Sequence, residues 1–308
     1  MNRISKFMLA FVLASGVVSC SAPVETAQSV FTFDPEFKAE LIPLSFESHG
    51  SVLRGFMTLG AGEGPRPTII LLHGFPGGDR DVMGLAGVIP QAGWNALVFN
   101  YRGLYTSEGL CTPMNSQEDV RAAIGFITEA DTLEKYRIDP EMIFLAGYSY
   151  GGWQAVVAAA AEPAVKGIVF IAGADFNFLM KEVEGGTEYG KALEKMLRDV
   201  YASPDVRGPD FDAMLAEAVS ARKRFDIIRL APQIADRKIL LIGGWEDRNI
   251  TREDHILPFY RALKRAEARD LEPVLLNDNH AFKKQRILLQ KTIVTWLQAQ
   301  NFNPSASY

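Results

Sequence analysis

The feature that most restricts how this chain can fold is residues 145–152, which read Leu-Ala-Gly-Tyr-Ser-Tyr-Gly-Gly. An apolar, β-type run at residues 142–146 leads into this segment, and a helical run rich in Ala and Val at residues 153–161 follows it. The spacing Gly-x-Ser-x-Gly around Ser149 is typical of a sharp strand-to-helix turn, because glycines without a Cβ let strand and helix approach closely. A serine exposed above a helix N-terminus suits a nucleophile whose reaction develops negative charge. The alternative is a Gly-rich turn with a helix-capping serine.

Apolar runs alternate with helical patterns on both sides of this turn, an order that predicts a mostly parallel sheet. Two β-type runs, residues 40–48 and 52–59, are split by His49-Gly50 and predict an antiparallel hairpin. Buried strands are predicted at residues 68–72, 95–100, 142–146, 165–172, 238–242 and 272–276. Helices are predicted at residues 81–91, 116–129 (with Ser116 as N-cap), 153–161, 251–266 and 282–298. We therefore expect an α/β fold with helices on both faces of the sheet.

Residues 174–236 interrupt this rhythm, since they carry no strand signal. Apolar residues repeat at helical spacing between Leu193 and Val200, and a second helical stretch, residues 211–221, follows two prolines. We expect a helical cap inserted above the sheet, at the edge where Ser149 lies. The alternative is a set of ordinary packing helices.

The N-terminus has the pattern of a targeting segment. Arg3 and Lys6 precede an apolar run, residues 7–18, that is too short to span a bilayer. Small residues before Cys20 resemble the lipobox of bacterial lipoproteins. The resemblance implies a signal peptide at residues 1–19, a lipid on Cys20 and a tether at residues 20–38, so that the exported chain is held on a bacterial membrane, facing the periplasm or the exterior. An ordinary signal peptide with an accidental cysteine is the alternative.

Charge and cysteine content narrow the choice of partners. The net charge is −5 and no basic patch is present, so we do not expect nucleic acid as a partner. The two cysteines, Cys20 and Cys111, fit no zinc-binding spacing, and Cys111 is expected to be a lone thiol. The sequence leaves the oligomeric state open.

A nucleophilic serine needs a base, and the chain offers four histidines: His49, His73, His255 and His280. His49 precedes the parallel sheet, and His255 lies in a predicted helix between charged residues, where we expect it to be solvated. His280 follows the last predicted strand, and loops after parallel strands share the edge where Ser149 lies. Topology therefore selects His280 as the base, the alternative being a loop histidine at the start of the last helix.

The base in turn needs an acid that orients it. Asp247 follows the preceding strand and ends at the same edge of the sheet. Its rivals are Glu246, Asp175 and Asp278. The order nucleophile, acid, base along the chain is then Ser149, Asp247, His280.

Hydrolysis of an acyl compound also requires donors to an oxyanion. The backbone N–H of Tyr150 directly follows the nucleophile, and a second N–H is expected from Phe75 in the glycine-rich loop after the strand at residues 68–72. We expect His73 to order this loop.

With these residues in place, the chain resembles an α/β-hydrolase serine enzyme. It is similar to dienelactone-hydrolase-like and prolyl-oligopeptidase-like catalytic domains and to related esterases. The matching segments are residues 73–77, 100–103, 107–109 and 147–152, the Gly-x-x-Asp ending at Asp247, and His280. The resemblance covers residues 39–302, the expected hydrolase domain. About twenty residues between Cys20 and the first strand leave no room for the propeller of oligopeptidases, so oligopeptide specificity does not transfer directly.

We therefore expect a serine hydrolase that cleaves carboxylic esters through an acyl-enzyme on Ser149, with no metal or organic cofactor. Its substrate would be a small molecule or a short peptide with an acyl group. The second hypothesis is a peptidase acting on short peptides, which an acidic cap residue (Glu182, Glu184 or Asp205) would favour. A third, of another class, is a non-catalytic lipoprotein that uses the fold for binding.

Overall fold

The computed structural model describes residues 33–34, 36–77 and 82–300. The predicted signal peptide (residues 1–19), Cys20 and most of the predicted tether (residues 20–38) lie outside the described residues. So do residues 301–302, at the end of the predicted hydrolase domain.

Eight strands form one sheet in the order β1-β2-β4-β3-β5-β6-β7-β8. They are β1 (Glu40–Ser48), β2 (Ser51–Leu59), β3 (Arg66–Leu72), β4 (Asn95–Phe99), β5 (Ile138–Tyr148), β6 (Val165–Ile171), β7 (Lys238–Gly244) and β8 (Leu271–Leu276). The pairs β1–β2 and β2–β4 are antiparallel and the other pairs are parallel. The predicted hairpin and the mostly parallel sheet are both confirmed.

Ten α-helices connect or cover these strands within the described residues. They are α1 (Leu85–Val88), α2 (Pro113–Thr128), α3 (Ala130–Tyr136), α4 (Tyr150–Ala161), α5 (Phe176–Glu184), α6 (Glu188–Tyr201), α7 (Phe211–Ala221), α8 (Ile227–Leu230), α9 (Leu257–Arg265) and α10 (Arg286–Gln300). Shorter turns are the 3₁₀ segments Ile89–Ala92 and Ala231–Gln233 and the π-helical segment Arg252–Ile256.

The sheet buries apolar side chains on both faces. In β3, Ile70 and Leu72 belong to one core cluster, while Ile69 and Leu71 belong to the other. The first cluster includes Trp153 of α4, and the second includes residues of α1 and α10. Side chains of a strand alternate between its two faces, so a continuous apolar run is what burial on both faces requires. Helix packing thus holds the strand ends in place from both sides.

Three predicted helix boundaries were wrong. The helix predicted at residues 81–91 is only the short α1 and a 3₁₀ turn, because Gly84 takes a left-handed φ of 76° just before it. Helix α2 begins at Pro113 and is capped by Thr112, whose hydroxyl accepts a hydrogen bond from Asn115 N, rather than by Ser116. Helix α10 begins at Arg286 instead of residue 282 because Phe282 has a φ of 48°. Helix α3 was not predicted from the sequence.

Between β6 and β7 the chain forms the helices α5, α6 and α7. The two ends of this helical segment are joined by a hydrogen bond, in which Asn177 Nδ2 donates to Asp226 Oδ2 at 3.0 Å. Helix α8, which follows, packs against α4 and α9. We call the segment between Asn177 and Asp226 the cap. Among the described residues, no helix has both the length and the apolar character needed to cross a bilayer.

Candidate active site

Ser149 stands at the turn between β5 and α4, with a strained backbone at φ 55° and ψ −115°. The glycines on either side are required sterically. A Cβ on Gly147 would lie 2.0 Å from the Gly151 carbonyl oxygen, and a Cβ on Gly151 would lie 2.0 Å from the Leu72 carbonyl oxygen. The turn therefore presents Ser149 at the N-terminus of α4, as the Gly-x-Ser-x-Gly spacing predicts.

The structure brings Ser149, His280 and Asp247 together in one hydrogen-bonded line. Ser149 Oγ lies 3.0 Å from His280 Nε2, and His280 Nδ1 lies 2.7 Å from Asp247 Oδ2. These three residues come from loops after β5, β8 and β7, which end at the same edge of the sheet. Both distances are typical of the hydrogen bonds that join a nucleophile to its base and the base to its orienting acid.

Asp247 is held by its own loop. Its side chain is fully buried, and Oδ1 accepts hydrogen bonds from the backbone N–H groups of Asn249 at 2.8 Å and Ile250 at 2.9 Å. Because both donors face Oδ1, Oδ2 remains for His280. The carboxylate is thus oriented before any substrate binds.

The three other carboxylates considered for the acid that orients His280 have different partners. Glu246 is exposed and pairs with Lys284 at 3.1 Å. Asp278 accepts from the N–H groups of Asn279 and Gln285, each at 2.8 Å. Asp175 caps α5 through Phe178 N. None of these carboxylates is hydrogen-bonded to His280 in the described part of the chain.

Phe75 and Tyr150 adjoin on one side of Ser149. Tyr150 is the first residue of α4, so its N–H has no acceptor within the helix. The two rings are 5.5 Å apart, and both residues line the same cavity as Ser149. The Tyr150 N–H therefore lies next to the nucleophile, as a donor to an oxyanion must, and the donor role of the Phe75 N–H stays a prediction.

His73 is buried inside the loop that carries Phe75. Its Nδ1 lies 2.7 Å from the Gly74 carbonyl oxygen, and its ring packs 4.4 Å from that of Tyr101. Burial lowers the pKa of His73 to about 4, so the ring is neutral at pH 7. Gly77, with a φ of 79°, folds back onto this ring, since a Cβ there would lie 2.0 Å from Nδ1. His73 thus orders the loop.

Two tyrosines that the sequence analysis did not single out support the site. Tyr148 donates from its hydroxyl to the His280 carbonyl oxygen at 3.1 Å, and the two rings are 5.0 Å apart. Tyr189, in the first turn of α6, donates to the Asn249 carbonyl oxygen at 2.9 Å. The cap is therefore bonded directly to the loop that holds Asp247. Tyr148 could have been found from its place in the turn, but Tyr189 has no local signal.

The prediction that His255 is solvated was wrong. The residue is 1% exposed, and its Nδ1 accepts a hydrogen bond from Asp175 N at 3.0 Å. Burial, opposed by Asp254 and Asp247, lowers its pKa to about 4. The π-helical turn before α9 carries His255 and points its ring toward the start of α5. The contact with Asp175 joins residues that are 80 positions apart in the sequence.

A cavity of about 850 Å³ opens over Ser149 and His280, beneath the cap. Its wall is mostly apolar, and α4, α5, α6 and α7 contribute about half of the lining residues. None of the proposed acidic cap residues, Glu182, Glu184 and Asp205, lines it, and no other Asp or Glu among the described residues does. The described residues also contain no group of three His, Cys, Asp or Glu side chains that could hold a metal ion.

The fold and this site define a protein of the hydrolase type. The model of the alpha/beta hydrolase fold family matches residues 67–230, and the chain belongs to that family. Family membership confirms the predicted α/β-hydrolase fold and supports a hydrolase activity. Among curated proteins, no sequence matches the chain.

Solved structures share this fold at low sequence identity. An acylaminoacyl peptidase from Pyrococcus horikoshii has a TM-score of 0.64 at 17% identity, over 86% of this chain and 42% of that one. This chain thus spans less than half of that peptidase. An esterase from Pyrococcus furiosus has a TM-score of 0.62 at 18% identity, over 85% and 91% of the two chains. Est1E from Butyrivibrio proteoclasticus, with bound ferulic acid, has a TM-score of 0.63 at 16% identity, over 83% and 98%.

Proposed function

We propose that the protein is a serine hydrolase that cleaves carboxylic esters through an acyl-enzyme on Ser149. The observation that carries this proposal is the line from Ser149 Oγ through His280 to Asp247, with distances of 3.0 and 2.7 Å. These contacts are the ones that a nucleophile, a base and an orienting acid would make.

In the first half-reaction, Ser149 Oγ attacks the ester carbonyl carbon while His280 Nε2 accepts the hydroxyl proton. The oxyanion receives hydrogen bonds from the N–H groups of Phe75 and Tyr150. When the tetrahedral intermediate collapses, the carbon–oxygen bond to the alcohol breaks and His280 returns the proton to the leaving oxygen. A water molecule then attacks the acyl-enzyme, with His280 again as base, and releases the acid and Ser149.

The cavity favours an ester over a peptide substrate. A peptidase for short peptides would use a carboxylate to hold a free amino terminus, and no described lining residue offers one. Glu184 is instead paired with Arg222, and Glu182 accepts from Thr187 at 2.8 Å. These carboxylates are occupied within the cap.

A fluorophosphonate probe tests the proposal. We expect it to label the wild-type chain and the Ser220→Ala variant, whose change lies on the exposed face of α7, but not Ser149→Ala. Turnover of p-nitrophenyl butyrate should follow the same pattern, without Ser149-dependent turnover of aminoacyl p-nitroanilides. Failure to label the folded wild type would instead favour the non-catalytic binding protein.

We also propose that the chain is exported and anchored to a membrane by a lipid on Cys20. The lipobox-like residues before Cys20 support this. In a bacterial host, radioactive palmitate should label the wild type and the Cys111→Ser variant, and Cys20→Ser should lose the label. Equal labelling of all three proteins would contradict the proposal.

A further inference from the structure

We propose that the cavity beneath the cap holds the acyl chain of the substrate, which is an ester of an unbranched apolar acid longer than butyric acid. This inference rests on the proposed ester hydrolysis and concerns which esters the site selects. It is carried by the mostly apolar wall of the cavity that opens over Ser149.

Three polar residues of the cavity wall lie beside the loops that carry Asp247 and His280. Asn249 and Tyr189 are joined there by a hydrogen bond, and Arg286 lies in the first turn of the helix that follows His280. Because His280 Nε2 must return the proton to the leaving oxygen, the alcohol part of the ester lies near His280. The acyl part therefore extends away from His280.

The wall formed by α4, α5 and α7 is aromatic and aliphatic. Trp153 is one helical turn past Ser149, and its ring stacks on that of Phe176 at 4.2 Å with an angle of 12°. Its indole N–H is occupied, since it donates to the Phe225 carbonyl oxygen at 3.0 Å. Helix α5, which carries Phe176, packs against α7, and α7 contributes Met214 and Ala218, which are 4% and 2% exposed. An acyl chain that extends from Ser149 toward this wall meets apolar surface.

The apolar wall of α4, α5 and α7 disfavours charged occupants. Moving a charge from water into such a wall without a partner is strongly unfavourable, and the described lining residues include no Asp or Glu. The cap residues that line the cavity lie in helices, whose backbone groups are bonded internally, so they offer no strand edge to an extended peptide. A flexible hydrocarbon chain requires neither a counter-charge nor a strand edge.

The volume and the side-chain types also favour a chain over a compact group. A volume of about 850 Å³ is near the upper end of the range for small-molecule pockets, about 300–1,000 Å³. The wall includes Met180, Met196 and Met214, whose unbranched side chains adapt to occupants of different length. We therefore expect activity to rise with chain length until the cavity is filled.

The test compares p-nitrophenyl acetate, butyrate and octanoate with the full chain as catalyst. Each buried methylene can raise kcat/KM up to about fourfold. We expect kcat/KM to be at least about tenfold higher for octanoate than for acetate.

The variant Ala218→Trp should lower kcat/KM for octanoate about tenfold or more and change kcat/KM for acetate less than about twofold. The matched control is Ala216→Trp, on the exposed face of the same helix, which should leave both values unchanged.

The smaller change Ala218→Leu serves if the tryptophan variant does not fold. An unchanged octanoate-to-acetate ratio in either folded variant, or a flat chain-length profile in the wild type, would overturn the inference. Probe labelling of Ser149 with acetate turnover would then still support the proposed function. Loss of both labelling and turnover in the folded wild type would count against the proposed function itself.

Discussion

Asp247 is the residue that connects the loop after β7 to the His280 ring. Its two oxygens have separate tasks, since Oδ1 accepts two backbone N–H groups and Oδ2 accepts from His280. The carboxylate is held in one orientation, so the His280 ring is held as well. In the proposed mechanism, the proton on His280 resides on Nδ1, and Nε2 accepts from Ser149.

The variant Asp247→Asn is expected to lower kcat by about 10³- to 10⁴-fold. The amide oxygen can still accept from Asn249 and Ile250, so the fold should persist. The amide nitrogen would donate to His280 Nδ1 and force the ring proton onto Nε2. Steady-state kinetics and a thermal melt measure the two effects. Glu246→Gln, which alters an exposed pair with Lys284, is the matched control, and an equal loss of kcat there would contradict the assignment.

His255 makes the stability of the protein depend on pH. Its pKa is lowered to about 4 in the folded protein, while an unfolded histidine titrates near the ordinary value of 6.5. Between these values the unfolded chain binds the extra proton, so stability falls as pH falls from about 6.5 toward 4. We expect the wild type to lose about 2 kcal/mol more than His255→Asn between pH 7 and pH 5.

Urea unfolding of both proteins at the two pH values measures this difference. Asn can still accept from Asp175 N, so the variant keeps that hydrogen bond without the titration. His73, with a pKa of about 4, and Asp175, whose pKa burial raises to about 6, titrate in both proteins. Their contributions largely cancel in the comparison. Parallel pH profiles of the two proteins would show that His255 does not contribute.

At the scale of single elements, the turn between β5 and α4 depends on the absence of two side chains. Gly151→Ala would place a methyl group 2.0 Å from the Leu72 carbonyl oxygen, which belongs to the backbone of β3. We expect a loss of about 3 kcal/mol in the free energy of unfolding, together with lost activity, because α4 must move away from the sheet.

The control is Gly125→Ala in α2, where a Cβ would have no atom within 4 Å. There we expect a gain of up to about 1 kcal/mol, because alanine is the better helix former. Chemical denaturation of both variants separates the steric effect from helix propensity. A stable and active Gly151→Ala protein would show that the close approach is not required.

The buried strands and their order could be predicted from the sequence, whereas contacts between distant residues could not. The buried strands could be predicted because a strand such as β3 has apolar residues on both faces, which leaves a local signal. The pairing of Ser149 with His280 followed from strand order, because parallel strands end at a shared edge. The surroundings of His255 could not be predicted, since they depend on a contact with Asp175. The hydrogen bond from Tyr189 to Asn249 was not predicted for the same reason, because it joins residues that are 60 positions apart in the sequence.

At the scale of the whole molecule, the edge strand β1 contributes to the stability of the sheet. It carries the buried Phe46 and the Ser48–Asp119 hydrogen bond of 2.7 Å. A chain that begins at Ser51 lacks this strand and should melt at least about 5 °C below a chain that begins at Phe33, which keeps it. Calorimetry of the two proteins measures the midpoints, and equal midpoints would contradict the prediction.

The hydrogen bond between Asn177 and Asp226 has a consequence for how chains of this kind diversify. A segment whose two ends touch can be exchanged, shortened or lengthened while the strands before and after it keep their spacing. Recombination at this junction would alter the range of compounds accepted, and the reacting groups would keep their places if the new segment restores the hydrogen bond that Tyr189 donates to Asn249. Selectivity and reactivity can then be inherited separately, on two parts of one polypeptide.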